Sequence, residues 1–416
     1  MPVTSPSSSA TSRHRSKPIR RAVDRWAGTQ WGGLGTALAA ILAGAAAIRL
    51  VGIQYGLPFG NLLNPDEQSI VPRAWKLVHG GGGDPHWFDY PSLLMYVNAP
   101  FQAWHSEPSY LTARIVGVVI ATAAVAAAWW LGRRAYGPAA GLVAGATVAV
   151  CTIHVAYSRA AVTDVPLTLG VAVALALMVK GRLELAGLAV GAAMGFKYPG
   201  VFLLFPLVVA GWRQWSRLAV SASLALSRRS RTDLVLASFV LVYALDLLTI
   251  RAHFDRYVLP LVPPLGALAG RFRSLAPVAL LLLVVPLTWA VRDAKVLTRT
   301  DTRVIASRWV EEHVPRGTHV AADPSTPSFR FLRVLPLQLP GPSRAFDPNR
   351  SIARLRGLGI HVVVVTGAVT DRVLAARSEY PREARFYEDL RAQARRLYYV
   401  EPGGDRAGPW VAVYRI

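Results

Sequence analysis

Apolar residues along this chain are gathered into long runs. The segments 33–49, 115–131, 138–156, 165–179, 234–250 and 275–291 are nearly free of charge. About 20 apolar residues in a helix cross a hydrocarbon core roughly 30 Å thick. One run of this kind could be a buried core helix, but half a dozen predict a polytopic α-helical membrane protein.

The polar stretches between the runs give a topology. Residues 1–31 are Ser-rich and basic, without apolar periodicity, and predict a disordered cytoplasmic tail. With that tail inside, the run after it reads as an uncleaved first span rather than a signal peptide. The spans expected are 33–53, 111–131, 138–156, 165–179, 183–196, 199–212, 233–250, 258–270 and 275–291. The weakest pair is 183–212, where each half is about 14 residues, below the usual minimum of about 17. A single span there would put the basic loops at 213–231 on the outside, against the positive-inside rule. A transmembrane domain over 32–291 with an outer loop at 54–110 follows, and then an extracytoplasmic domain at 292–416. That tail is charged throughout. It predicts a helix at 303–313, a strand at 361–366, a helix at 382–397 and a strand at 409–414, together a small α/β domain.

Composition agrees with the pattern and sets limits. Of 416 residues, 53% are hydrophobic and 17% charged, with a mean hydropathy of +0.33, against about 25% charged in a typical soluble domain. The formal net charge is +22. Because much of the Lys and Arg sits in short loops between apolar runs, it reads as topology and not as a nucleic-acid surface. The one cysteine, Cys151, rules out an intrachain disulfide framework and a cysteine-based zinc site.

Charged residues in the outer loops are the candidates for chemistry. Asn64-Pro-Asp-Glu67 follows the first span and offers two adjacent carboxylates, Asp66 and Glu67, suited to a general base or a metal ligand. The plainer reading is a solvated turn after a helix-ending proline. Asp164 stands at the mouth of the fourth span near Arg159, either as a functional carboxylate or as a cap over a helix with Pro166 in its first turn. Lys197 lies between two short apolar stretches, where it must reach an interface or a partner such as phosphate. Asp246 is a candidate partner for Arg251. Arg256, beside Tyr257, is either a phosphate clamp or an interfacial anchor. The four glycines 80–83 lack the Gly-Lys-Ser/Thr ending of a nucleotide-phosphate loop and read as a linker. His79 and His86 flank them, within reach of a metal shared with Glu67.

Taken in order, several segments resemble the GT-C membrane glycosyltransferases of the family 39 group, which includes protein O-mannosyltransferases and lipid A aminoarabinose transferases. They are Asn64-Pro-Asp-Glu67, Tyr90-Pro-Ser-Leu-Leu-Met-Tyr96, Ala113-Arg114, Gly132-Arg-Arg-Ala-Tyr-Gly137, Tyr157-Ser-Arg-Ala-Ala-Val-Thr-Asp-Val-Pro166, Gly195-Phe-Lys-Tyr198 and Arg256-Tyr-Val-Leu-Pro260. The resemblance covers about 50–290, and the tail is similar to the small outer domain of some bacterial members. It implies an inverting transfer of sugar from a polyprenyl phosphate to an acceptor outside the cytoplasm: protein, lipid or cell-wall glycan. It also implies roles for residues. Asp66 would be the base with Glu67 beside it, and Asp164 would shape the site or help hold a divalent metal. Arg159, Lys197 and Arg256, with Tyr257, would meet the donor phosphate. The competing expectations are a transporter or flippase for a lipid-linked sugar, for which inverted repeats are wanting, and a non-catalytic membrane scaffold.

Overall fold

The computed structural model describes residues 35–60, 62–215, 228–250, 254–326, 329–341 and 344–416, with no side-chain description at 212–215 and 228–231. The predicted disordered tail and Arg251 with His253 lie outside the described residues.

Helices stand where the apolar runs predict them. They are α1 (Gly35–Leu50), α4 (Tyr110–Tyr136), α5 (Pro138–Val150), α7 (Asp164–Lys180), α8 (Leu183–Phe196), α9 (Leu204–Trp215), α10 (Arg228–Thr249), α11 (Val262–Ala269), α12 (Ala276–Leu282) and α13 (Val284–Val296). Among the described residues, three stretches are long and apolar enough to cross a membrane by themselves: Tyr110–Tyr136, Thr232–Thr249 and Arg273–Val296. The doubtful pair at 183–212 is two segments. Lys197 leaves helical geometry at φ −157°, ψ 137°, and a 3-10 turn at Tyr198–Leu203 restarts the chain.

Other boundaries differ from expectation. The run 138–156 is interrupted at Cys151 (ψ 112°), so that α6 (Thr152–Tyr157) is a separate short helix. The run 258–270 begins as a 3-10 turn (Asp255–Leu261), because Pro260, Pro263 and Pro264 withhold amide donors from a regular helix there. The loop expected at 54–110 is not linear: it contains α2 (Asp66–Lys76) and α3 (Leu93–Gln102). Pro65 starts α2 instead of ending a helix, since its fixed φ of −64° suits a first turn.

The core surrounds α7. Leu167, Val171, Ala174, Leu175 and Met178 are fully buried against α4, α8, α10 and α11, so this helix is apolar on every side. Small residues let its neighbours approach. A Cβ on Gly132 would lie 2.4 Å from the carbonyl oxygen of Ala140, and one on Gly270 would lie 2.4 Å from the Ala140 Cα. By contrast, Leu241, Leu248, Leu281, Leu282 and Trp289 of α10, α12 and α13 point outward and uncovered. Apolar side chains on that scale are solvated by lipid tails, not water. The chain is an integral membrane protein.

Beyond α13 the chain forms a mixed sheet with helices. Strands β2 (His319–Ala322), β3 (Arg333–Pro336), β4 (Val362–Thr366), β5 (Arg395–Val400) and β7 (Val411–Arg415) are ordered β3-β2-β4-β7-β5. β2 is parallel to β3 and β4, and β7 is antiparallel to β4 and β5. Helices α15 (Ile352–Gly357), α16 (Gly367–Ala375) and α17 (Pro381–Gln393) cover one face, and α14 (Thr302–His313) packs on the other. The helix predicted to reach 397 stops at Gln393, where Arg395 enters β5 and its backbone donors are taken up by β7. A small pair, β1 (Thr300–Asp301) with β6 (Arg406–Ala407), closes the base of this region. There Arg303 holds Asp301 through Nε at 2.9 Å and Nη2 at 2.6 Å, and Nη2 also donates to the carbonyl of Leu62 at 2.7 Å. The loop at 54–110 and the sheet region are thereby joined a few residues before Asp66.

Candidate active site

The geometry of α2 separates the two adjacent carboxylates. Successive residues of a helix project about 100° apart, so Asp66 and Glu67 cannot serve one point. The Asn64 side-chain oxygen accepts the Asp66 amide at 2.9 Å, fixing the entry to the helix. Glu67 turns inward and is fully buried. It accepts from Arg114 Nε at 2.9 Å, Arg114 Nη2 at 2.7 Å and the Ala161 amide at 3.0 Å. Arg114 Nη1 also donates to the carbonyls of Ile53 and Tyr55. This group braces α2 against α4 and the turn before α7.

Asp66 faces the other way, into a cluster of charges. Arg256 Nη1 donates to Asp66 Oδ2 at 2.9 Å, and Arg256 Nε lies 3.8 Å from Asp164 Oδ2. Lys197 Nζ is 2.5 Å from Asp164 Oδ1. Each residue owes its position to a break in regular structure. Asp164 is the first residue of α7, Lys197 sits in the gap after α8, and Arg256 belongs to the 3-10 turn before α11. Asp164 makes no cap: its carboxylate is spent on Lys197, and no side chain caps the start of α7.

Aromatic rings wall the cluster. The Lys197 ammonium lies 5.0 Å from the Tyr257 ring centroid and 5.6 Å from that of Tyr90, within range of the cation–ring attraction. The Arg256 guanidinium lies 5.7 Å from Tyr157 and 5.3 Å from Phe254. Burial, with the nearby Asp66 carboxylate, pushes the Tyr90 phenol up to about 12. Its hydroxyl therefore stays protonated and leans on Asp66 Oδ2 at 3.4 Å.

Of the sequence candidates, Asp66, Asp164, Lys197, Arg256 and Tyr257 come together, and Glu67 and Arg159 do not. Arg159 is buried and donates to the Ile48 carbonyl at 2.7 Å, away from Asp164. Tyr90 and Tyr157 escaped selection, although each opens one of the motif segments quoted above. His79 stacks on Trp75, and His86 pairs with Asp84 at the surface, so neither approaches the buried Glu67.

Two buried atoms within the cluster have no hydrogen-bond partner, Asp164 Oδ2 and Arg256 Nε. An orphaned guanidinium N–H directed into a charged site is suited to a ligand oxygen. The donor set is a poor match for a resident divalent ion. Among the described residues no three His, Cys, Asp or Glu side chains converge, and both carboxylates here already face cations.

Residues 105–243 match the family described as dolichyl-phosphate-mannose-protein mannosyltransferase. No curated protein matches the sequence. Among solved structures, the fold is similar to that of ArnT from Cupriavidus metallidurans. Against the form bound to undecaprenyl phosphate the TM-score is 0.54 at 13% identity, covering 90% of this chain and 97% of that one. Against the apo form it is 0.55 at 14% identity, covering 94% and 98%. The family segment at 105–243 thus lies within a fold similar to that of ArnT over most of the chain.

Proposed function

We propose that the protein is an inverting glycosyltransferase that moves a sugar from a polyprenyl-phosphate donor to a hydroxyl acceptor outside the cytoplasm. The observation that carries this reading is the meeting of Asp66, Asp164, Lys197 and Arg256 from four separate segments, with Arg256 between the two carboxylates. The ArnT-like fold supports it, since that protein's structure contains undecaprenyl phosphate.

In the proposed reaction, Arg256 and Lys197 hold the donor phosphate, and Asp164 fixes Lys197 where it is needed. Binding of the donor phosphodiester gives Arg256 a second anion to pair with and frees Asp66. The acceptor oxygen attacks the anomeric carbon as the bond from that carbon to the phosphate oxygen breaks. Asp66 takes the acceptor proton, and the bonding pair leaves with the polyprenyl phosphate. Charge develops on that phosphate in the transition state, and cations fixed beforehand stabilise it without reorganising. Tyr257 and Tyr90 keep water off the ammonium. Glu67 acts through Arg114 by positioning α2, and Arg159 holds the end of α1. The amino terminus is cytoplasmic, and both the cluster and the sheet region lie outside.

The test is sugar transfer in membranes from a panel of radiolabelled polyprenyl-phosphate sugars, comparing wild type with Asp66→Asn and Asp164→Asn at matched expression. Loss of transfer by orders of magnitude in both variants is expected. Undiminished transfer in the variants would remove the residue roles, and no donor consumed by wild type would remove the reaction itself.

A further inference from the structure

The sheet region ends in an open edge at β5, and beside it lies a cleft of about 550 Å³ lined by Arg391, Ala394, Arg396, Tyr399, Trp410 and Tyr414. None of these residues belongs to the charged cluster. The cleft is built by an irregularity in β5. Strict alternation would place Arg396 and Tyr399 on opposite faces. The register shift between Arg396 and Tyr398 sets them opposite Tyr414 and Ala412, two residues apart on β7 and therefore on one face.

Its aromatic groups are held in place. Trp410 Nε1 donates to Asp371 Oδ2 at 2.9 Å, and the Gly367 amide donates to the Trp410 carbonyl at 2.8 Å. A Cβ on Gly367 would lie 2.6 Å from Trp410 Nε1, so glycine at the start of α16 is what lets the indole seat there. Tyr399, 40% exposed, donates to Glu401 at 3.2 Å. The two rings are 6.0 Å apart and inclined by 35°. Above them stand two exposed guanidinium groups: Arg396 at 5.0 Å from the Tyr399 ring and Arg391 at 6.0 Å from the Trp410 ring. The carboxylates nearby, Asp371 and Glu401, are engaged in orienting the rings.

We propose that this cleft binds an acidic saccharide. A sugar presents a flat C–H face that packs on an indole or phenol ring, and rigid rings lose little entropy on binding. Guanidinium groups recognise the carboxylate of a uronic acid through paired hydrogen bonds. An acidic peptide would meet the arginines but has no ring-sized C–H face for the two aromatics, and a neutral sugar would leave the arginines unused. The inference rests on the proposed function only for the side of the membrane on which such a saccharide is met.

The experiment is isothermal titration of the full chain in detergent with tetragalacturonate, with galactotetraose and hexaglutamate as comparisons. Saturable binding of tetragalacturonate alone is expected, weakened about tenfold or more in the double variant Arg391→Gln/Arg396→Gln. Both arginines are exposed, so that variant keeps its fold. Trp410→Phe, which loses the Asp371 contact but keeps a ring, should weaken binding less. Equal binding of either comparison ligand, or an unchanged affinity in the arginine double variant, overturns the proposal. Assaying wild type for both transfer and binding separates the two readings. Saccharide binding by a wild type that transfers no sugar counts against the glycosyltransferase alone, and absent binding in a transfer-competent wild type counts against the cleft alone.

Discussion

Arg256 Nη1 donates to Asp66 Oδ2 across 190 residues of chain, at 2.9 Å. The carboxylate proposed to take the acceptor proton is thus engaged by the guanidinium proposed to take the donor phosphate. Donor binding should come first, because only a competing anion loosens this contact. Arg256→Gln is expected to lower the single-turnover rate of transfer by about 10²–10³, the usual cost of losing one fixed group at a developing oxyanion. Steady-state kinetics with both substrates varied should show ordered binding in wild type. Random order would argue against the exchange.

Asp164 and Lys197 predict a different signature. Their side chains are 2% and 8% exposed, and removing one partner of such a pair typically costs about 3–5 kcal/mol. Lys197→Met alone should therefore lower the thermal midpoint. The double variant Asp164→Leu/Lys197→Met should recover much of that stability and none of the transfer. Recovery of activity with stability would show that the pair only supports the fold.

Glu67 and Asp66 should part company in the same assays. Glu67→Ala strands the buried Arg114 guanidinium, so the folded yield and thermal midpoint should fall. The remaining folded protein should keep transfer within about tenfold of wild type, as expected of a group that acts only through position. Asp66→Asn should do the reverse, keeping the midpoint and losing turnover.

Sidedness can be read chemically. In a Cys151→Ala background, an impermeant maleimide applied to intact cells should label Ser106→Cys and Ser378→Cys, both at exposed positions, and leave Arg134→Cys unlabelled until the membrane is opened. The opposite pattern would invert the topology and remove the outer acceptor.

Tight helix crossings give a last prediction. Gly132 and Gly270 both back onto Ala140 at distances that leave no room for a methyl group. Gly132→Ala should destabilise the protein by about 1–3 kcal/mol, as overpacking usually does. Detergent thermal shift would reveal it.

The apolar runs made the helices legible because lipid demands long unbroken apolar segments, a requirement written directly in composition. The charged cluster was partly legible for a related reason: Asp164, Lys197 and Arg256 are ionisable groups where ions are costly, so each needed a partner. Which partner was not legible. Arg159 stands five residues from Asp164 yet bonds to Ile48, and Arg256 comes from a distant turn. Asp66 and Glu67 looked equivalent because nothing in a dipeptide says which side chain faces the core; that waits on how α2 is seated. Tyr90 and Tyr157 passed unnoticed since aromatic residues at membrane boundaries are common on any topology. The tail was read least well, because short strands such as β2 and β3 carry too few residues for a periodicity to show.

The cluster of Asp66, Asp164, Lys197 and Arg256 carries two negative and two positive groups, so its formal charge is zero. On the proposed reaction, the donor enters as a phosphodiester with one negative charge, and the spent carrier leaves as a phosphomonoester with a charge of about −1.5 to −2 near pH 7. The cations therefore grip the product harder than the substrate. Turnover would then be governed by departure of the lipid, and accumulation of spent carrier would throttle the enzyme by mass action, tying its rate to how quickly the surrounding membrane recycles polyprenyl phosphate.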